Sequence, residues 1–417
     1  MPTITKSQFI FYLLWPFGAL IYALKNYRNP SSKTVFWLFC IYFGYVFIYA
    51  TPYEKGTADS SRYAEDLIEL HNDSPSFNEF TKTLYNKETR ILDLYQPLST
   101  YFISLLTDNP RILFMLFALV FGFFYTQNLW LVLNAIDKKI GWILFLLLLA
   151  FILTNPIWQI NGVRMWTAAQ IFLYGILKFF LTKNKKGLIW CGISVLVHFS
   201  FLFPVGILIT WFILPKKVPL IYFLFFIITA FFVEIKLTLV KEWLSFLPEL
   251  FQHRVESYTA ESGAIKRLKN AQQVSWHVTW AGSFFRWFLY IWVTAIFFRG
   301  KEWMRNHPNT LRLFLFGLLL GGFANLSSQV PSGGRFMTLA NGFFLAVLIL
   351  VNGNKTINLK LNILYYLTIP FLIFIIVFKF RVGFNYIGIL IIAGNPVTSP
   401  FLETQIPLID FVKQLFQ

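Results

Sequence analysis

Residues 187–214 read GLIWCGISVLVHFSFLFPVGILITWFIL, an apolar run of 28 residues. The basic residues on its two sides are Lys183, Lys185 and Lys186, and Lys216 and Lys217. Because basic loops of membrane proteins stay in the cytoplasm, both ends of the run are expected on the same side. At about 1.5 Å per residue, each half of the run reaches only part of the way across a bilayer. We therefore predict a bent, partly re-entrant hairpin with His198 near its apex.

The composition is that of a polytopic membrane protein. Apolar residues make up 57% of the chain, aromatic residues 20% and charged residues 13%, and the mean hydropathy is +0.60. A soluble domain of this length would need much more charged surface. The net charge of +17 is carried mainly by short loops between apolar segments, so it indicates membrane topology and does not indicate nucleic-acid binding. Cys40 and Cys191 both lie in predicted helices, which gives no support to a disulfide.

The apolar segments predict an all-α membrane protein with about twelve crossings and both termini outside. We predict one integral membrane domain over 1–417, with the external segments 51–110 and 234–280 forming a cap over a cavity. The cap includes an amphipathic surface helix beginning near Asp59 and a short re-entrant or interfacial piece at 97–107. The predicted spans are 8–24, 35–50, 111–134, 141–154, 161–181, the hairpin 187–214, 218–233, 281–298, 311–326, 335–351 and 362–378.

Arg164 is a charge on the first turn of an otherwise apolar helix, in the stretch Asn161-Gly162-Val163-Arg164-Met165-Trp166-Thr167. Charge at membrane depth is costly and is usually functional. The basic cluster after this helix places Arg164 at its outer end, and the hairpin brings His198 to the same level. Arg335 and Arg286 are predicted at outer helix ends as well. These residues together predict one outward-facing cavity for an anionic lipid-linked sugar.

The residue types suit that ligand. Guanidinium groups stay charged and present forked donors to phosphate oxygens, which makes Arg164, Arg335 and Arg286 candidates for binding a diphosphate. His198 is a candidate general base or neutral donor. Asp59 is a second catalytic candidate, which would orient a sugar hydroxyl or take its proton. The further candidates for contacts with the acceptor sugar are Arg62, Tyr63, Asn161 and His277.

Each of these residues also has a purely structural interpretation. Arg164 would snorkel to head groups, and Arg286 would act as an interfacial anchor between neighbouring tryptophans. His198 would pack inside the bundle, Asp59 would sit on a solvated helix face, and the glycines before Arg335 would only form a turn. No Gly-rich phosphate loop, zinc signature or nucleophile elbow occurs in the sequence. We therefore expect no cofactor and a metal-independent mechanism.

Four short motifs in order resemble the EpsG family of bacterial exopolysaccharide polymerases, which is similar in role to the Wzy-type O-antigen and capsule polymerases. The resemblance covers roughly 35–350. The motifs are Asp59-Ser60-Ser61-Arg62-Tyr63, Asn161-Gly162-Val163-Arg164, Val197-His198-Phe199-Ser200 and Gly334-Arg335-Phe336.

This resemblance implies a GT-C-like fold in the bacterial inner membrane with an active site on the periplasmic side. The growing glycan would pass from undecaprenyl diphosphate to the next lipid-linked repeat unit, and a chain-length regulator is a further candidate partner. Carried onto this sequence, Arg164 and Arg335 would hold the diphosphates, with His198 and Asp59 near the acceptor. The resemblance does not fix the general base, the linkage, or whether the reaction retains or inverts configuration.

Other functions remain open from the sequence. A ligase that passes finished glycan to another acceptor would use the same lipid diphosphate, and a GT-C transferase would use a lipid monophosphate sugar. A flippase for the lipid-linked unit predicts internal repeats and charges along a whole pathway, neither of which is visible here. A membrane acyltransferase and a structural subunit are the remaining alternatives.

Overall fold

The computed structural model describes residues 4–49, 58–86, 91–232, 276–330, 332–354, 362–402 and 406–415. Within these ranges the chain forms α-helices and short 3-10 helices without a β-strand, as predicted. The helices before residue 233 are α1 (Lys6–Leu14), α2 (Pro16–Lys25), α3 (Pro30–Tyr45), α4 (Asp59–Asp73), α5 (Phe77–Thr83), α6 (Tyr95–Ser104), α7 (Pro110–Leu133), α8 (Trp142–Thr154), α9 (Val163–Thr182), α10 (Lys186–Val197), α11 (Leu202–Ile213) and α12 (Pro219–Ala230). Those after residue 275 are α13 (Trp276–Arg299), α14 (Lys301–Asn306), α15 (Pro308–Ser327), α16 (Gly334–Asn352), α17 (Asn362–Gly383), α18 (Ile389–Ala393) and α19 (Leu408–Leu415).

Six stretches of the described chain are long and apolar enough to cross a bilayer, which makes this a multi-pass membrane protein. The helices α10, α11 and α12 are apolar but shorter. The predicted total of about twelve crossings and the GT-C-like likeness stay predictions. The six stretches are Pro110–Leu133, Trp142–Thr182, Trp280–Arg299, Pro308–Ser327, Gly334–Asn352 and Ile363–Gly383.

The first predicted span, 8–24, consists of two helices. Helix α1 ends at Leu14 and α2 begins at Pro16. Proline has no N–H to continue a helix and is favoured at the first helical position, so the chain starts a new helix there. The piece predicted at 97–107 is α6, a helix of ten residues.

The apolar run 187–214 forms the predicted hairpin. Its two arms, α10 and α11, have 12 residues each, so each is about 18 Å long. They are joined by His198, whose backbone is extended (φ −150°, ψ 114°), and by a single 3-10 turn. At the far ends of the arms, Lys185 and Lys216 line one cavity together with Lys183 and Arg312. We call this end of the helix bundle the basic end.

Close contacts at small residues hold α9 against α10. A Cβ built on Gly175 would lie 2.6 Å from Sγ of Cys191, and one on Gly187 would lie 2.3 Å from the Gly175 carbonyl oxygen. Such approach of two backbones is typical of helix pairs in membranes, where small residues form the interface. The tight α9–α10 pair therefore fixes the positions of the residues at its opposite end, which we call the site end.

The described part of the predicted cap lies at the site end. Helix α4 is amphipathic and buries Tyr63 and Leu67, and the Tyr63 ring packs edge-on against Phe117 of α7 at 6.0 Å. Of the second predicted cap segment, 234–280, residues 234–275 lie outside the described part. A cap formed by both segments therefore stays a prediction.

Candidate functional site

A cavity of about 170 Å³ opens at the site end of the bundle. It brings together six of the residues singled out in the sequence, which come from four separate segments. The cavity is lined by Asp59, Tyr63, Gln159, Asn161, Gly162, Arg164, Met165, Trp166, His198 and Arg335.

Three helices begin at this cavity. Asp59 is the first residue of α4, Gly162 immediately precedes α9, and Arg335 is the second residue of α16. None of the three N-terminal caps makes a side-chain hydrogen bond. The positive end of a helix dipole favours anions, so the beginnings of α4, α9 and α16 together add positive potential to this cavity. Some of their N–H groups are already paired, because that of Ser60 donates to Asn161 and that of Arg335 donates to the Ser332 carbonyl oxygen.

Asp93 joins the two motifs that carry Arg164 and His198. Its Oδ2 accepts hydrogen bonds from Nδ1 of His198 at 2.9 Å and from Nη1 of Arg164 at 3.3 Å. Its Oδ1 accepts from the backbone N–H of Phe199 at 2.9 Å. The Asp93 side chain is only 3% exposed. Both carboxylate oxygens are thus engaged, as a buried charge requires.

The pKa of Asp93 is lowered. Burial alone would raise it, but the hydrogen bond and charge of His198, the charge of Arg164 and the Phe199 N–H together outweigh burial. An ionised carboxylate can only accept hydrogen bonds, so Nδ1 of His198 must carry a proton. When the imidazole is neutral, Nε2 is then the basic nitrogen available to a ligand.

Tyr63 contributes a phenol beside Arg164. Its hydroxyl accepts a hydrogen bond from Nε of Arg164 at 3.3 Å, and the guanidinium carbon lies 5.9 Å from the centre of the ring. Burial, only partly offset by the nearby arginines, raises the pKa of Tyr63 to about 12. Tyr63 therefore stays protonated near neutral pH and acts as a neutral partner that helps to orient Arg164.

Asp59 and Asn161 hold α4 in place over the cavity. Asp59 forms an ion pair with Arg62, one turn along the same helix. Asn161 accepts from the backbone N–H of Ser60 at 3.3 Å and donates to the hydroxyl of Tyr386 at 3.1 Å. Asn161 therefore links the segment before α9 to α4 and to the C-terminal part of the chain, while Arg62 is exposed outside the cavity lining.

The turn before Arg335 is tightly built. Ser332 has a positive φ of 63°, which is unusual for a residue other than glycine. A Cβ on Gly333 would fall 1.8 Å from the carbonyl oxygen of Ser327, whereas one on Gly334 would meet nothing within 4 Å. The glycine at 333 is thus required by a close backbone approach that sets the position of Arg335.

Arg335 differs from Arg164 in its partners. Arg164 is held by Asp93 and Tyr63, but Arg335 is exposed and forms no ion pair with a carboxylate in the described part of the chain. Arg335 therefore brings to the cavity a guanidinium group that no carboxylate within the described ranges neutralises in an ion pair.

Of the other predicted site residues, Arg62 and Arg286 do not line this cavity, and the side chain of His277 cannot be placed from the described part of the chain. Arg286 lies on α13, close to Tyr290, whose hydroxyl bonds to Asn325 of α15. The sequence predicts only that Arg286 lies near a helix end; the packing of α13 places it beside Tyr290 and not in the cavity lining. His277 lies on the first turn of α13, and its side chain lies outside the described part of the structure.

Asp93 was missing from the sequence-based candidates. It follows α5 and precedes α6, outside the helical spacing that singled out Asp59 and Arg62. The signal that could have found it is a lone carboxylate in the otherwise apolar stretch Ile91-Leu92-Asp93-Leu94-Tyr95. A charge flanked by apolar residues on both sides is expected to be buried with a partner.

The site is built from cationic and neutral donors together with one histidine–carboxylate pair. Among the described residues, no group of three or more His, Cys, Asp or Glu side chains is arranged to hold a metal ion. The arrangement can bind phosphate oxygens through Arg164 and Arg335 and can accept a proton at His198.

A sequence model of the EpsG family matches residues 35–390, which is most of the chain. The match includes all the residues around the cavity. No curated protein and no solved structure matches the chain.

Proposed function

Because the chain belongs to the EpsG family, we propose that it is a membrane-embedded polysaccharide polymerase. In this proposal the enzyme transfers a growing glycan from undecaprenyl diphosphate to the sugar of the next lipid-linked repeat unit. The site end faces the periplasm of the bacterial inner membrane and the basic end faces the cytoplasm, in keeping with the positive-inside rule.

The observation that carries the proposal is the shared cavity of Arg164, His198 and Arg335, with Asp93 buried between the first two. A diphosphate needs several fixed donors, and a glycosyl transfer needs one base near the acceptor hydroxyl. The cavity, with a volume of about 170 Å³, would hold the reacting groups, while the lipid and the two glycan chains would extend beyond it. The guanidinium groups of Arg164 and Arg335 and the dipoles of the three helix N-termini suit the diphosphate.

The proposed reaction forms a bond between the acceptor hydroxyl oxygen and the anomeric carbon of the donor glycan. The bond from that carbon to the lipid diphosphate breaks, and the diphosphate leaves with the electron pair. Arg335 and Arg164 stabilise the negative charge that develops on the leaving group. This neutralisation by side chains is why we propose a metal-independent mechanism.

The acceptor hydroxyl gives its proton to Nε2 of His198 in this proposal. Asp93 acts as a positioning residue, because it holds Nδ1 in the protonated form and favours the imidazolium that results. Asp59 is kept in place by Arg62 and would contact an acceptor hydroxyl from α4. We therefore propose that His198 is the main proton acceptor and that Asp59 is less important for proton transfer.

The test uses the purified full chain in liposomes with its lipid-diphosphate-linked repeat unit as the only sugar substrate. A polymerase yields a ladder of products that differ by one repeat unit. We expect R164A and R335A to abolish the ladder, and R381A to retain it. Arg381 is a matched control because it is an exposed arginine at the end of α17, outside the cavity lining.

Other products would reassign the function. A single transfer to a different acceptor without a ladder would identify a ligase or a single-sugar transferase. Movement of the lipid-linked unit across the membrane without glycan extension would identify a flippase. A normal ladder from the R164A and R335A variants would contradict the proposed site.

A further inference from the structure

A second cavity lies at the basic end, remote in the bundle from the site already described. Its volume is about 430 Å³. The polar side chains that line it are Lys183, Lys185, Trp211, Lys216, Asn309 and Arg312. No carboxylate is among the lining residues. We propose that this cavity binds the phosphate head group of an anionic phospholipid, a role that does not depend on the proposed polymerase activity.

Membrane topology alone accounts for basic residues at this end, but not for their arrangement. Four cations from three separate parts of the chain converge on one concave site. Lys183 and Lys185 come from the α9–α10 turn, Lys216 follows α11, and Arg312 lies in the first turns of α15. Basic pockets between membrane helices are typical binding sites for anionic head groups.

Trp211 supplies an independent observation. It is 3% exposed, and its Nε1–H has no hydrogen-bond acceptor within the described ranges. A buried donor without an acceptor is costly in a folded protein, and this donor belongs to a ring that lines the cavity. Lys216 is held against the same ring, with Nζ 4.9 Å from the ring centroid and 2.6 Å from the Phe212 carbonyl oxygen. The ammonium group is therefore positioned at the cavity before any ligand arrives.

The beginning of α15 adds to the positive potential. Its first residue is Pro308, its cap makes no side-chain hydrogen bond, and its first turn has no acidic residue. Asn309 of this first turn lines the cavity. The dipole of this 20-residue helix therefore favours an anion at the same place as the four cations.

The surface beside the cavity favours a lipid over a soluble phosphate compound. Helix α11 presents Ile209, Phe212 and Ile213 as exposed apolar side chains, and Phe212 also lines the cavity. An acyl chain lying along α11 would place its phosphate beside Lys216. A free phosphate compound shares the head-group chemistry but would make no use of this apolar surface.

The experiment measures lipid binding to the full chain in detergent by native mass spectrometry. The probes are dioleoylphosphatidylglycerol, dioleoylphosphatidylcholine and inorganic pyrophosphate. We expect tight binding of one phosphatidylglycerol, weaker by at least about tenfold in the K183Q/K216Q/R312Q variant. The K183R/K216R variant keeps the positive charge, so it should bind phosphatidylglycerol like the original protein. It is the control for effects of substitution on folding.

The matched control is K25Q/K138Q/K139Q, which removes the same charge from exposed lysines at the basic end that do not line the cavity. It should leave phosphatidylglycerol binding unchanged. Equal weakening in both triple variants would overturn the site in favour of general surface charge. Equal affinity for the two lipids, with pyrophosphate bound at the cavity instead, would overturn the lipid assignment.

Discussion

Asp93 accepts a hydrogen bond from Nδ1 of His198 at 2.9 Å, although the two residues are 105 positions apart in the sequence. The same carboxylate reaches Arg164 at 3.3 Å. This contact joins the segment before α6, the start of α9 and the apex of the α10–α11 hairpin. As a result, Arg164 and His198, which are far apart in the sequence, belong to one buried cluster around the ionised carboxylate of Asp93.

Replacing Asp93 by asparagine tests its role as a positioning residue. The amide of D93N would donate to Nδ1 of His198, which moves the imidazole proton to Nε2 and removes the base. We expect the turnover rate to fall by about 10²- to 10⁴-fold. The KM for the lipid-linked unit should change less than the turnover rate, because Arg335 is untouched and Arg164, although it loses its carboxylate partner, is still present in the cavity.

The control for this variant is D73N, which changes an exposed carboxylate at the last residue of α4, away from the cavity lining. Its turnover should stay within about twofold of the original. The measurement is the initial rate of ladder formation in liposomes across pH 5 to 9. A D93N enzyme with the original rate and pH profile would rule out the positioning role.

The lowered pKa of Asp93 predicts how stability depends on pH. A carboxylate with a depressed folded-state pKa stabilises the native state above its unfolded pKa, and this stabilisation is lost as pH falls through the folded pKa. The Tm difference between the original protein and D93N should therefore shrink as the pH falls below about 4. The check is thermal unfolding in detergent from about pH 5 to pH 2.5; a difference that grows on acidification over this range would contradict the assignment.

The two arginines of the cavity should respond differently to substitution. Arg164 compensates buried Asp93, so R164Q should lower both activity and stability, the latter by about 2 kcal/mol or more. Arg335 has no carboxylate partner among the described residues, so R335Q should abolish extension while the Tm changes by little. Thermal unfolding and ladder formation on the same samples separate these effects. Equal destabilisation by both variants would argue that Arg335 is a structural residue.

The glycines before Arg335 provide a matched pair. G333A places a Cβ 1.8 Å from the Ser327 carbonyl oxygen, so the turn must shift and Arg335 must move with it. G334A meets no atom within 4 Å. We expect at least about a tenfold loss of activity for G333A and less than about twofold for G334A. The initial extension rate measures both, and equal losses would show that the turn does not position Arg335.

The sequence was sufficient for the parts of the structure that hydropathy and charge determine. The lysines on both sides of 187–214 were enough to predict the hairpin. The hairpin and the basic cluster after α9 together predicted that His198 and Arg164 lie at the same end of the bundle. Rotation about a helix axis depends on packing, which periodicity in an almost wholly apolar helix does not reveal. This is why Arg286 was grouped with the cavity although it lies beside Tyr290.

Asp93 was missed for a related reason. Helical spacing reveals charge pairs within one helix, whereas this carboxylate lies in the connection between α5 and α6 and has its partners more than 70 positions away. The break at Pro16 was missed because a proline inside an apolar run is compatible with a kinked membrane helix. The structure instead ends α1 and starts α2 there.

The most direct test of the central claim is a cryo-electron microscopy structure of the full chain with a non-transferable lipid-diphosphate-linked sugar. We expect diphosphate density in the cavity at the site end, within hydrogen-bond distance of Arg164 and Arg335, with a sugar hydroxyl facing Nε2 of His198. A diphosphate bound away from both arginines, with the cavity filled by ordered protein side chains, would contradict it.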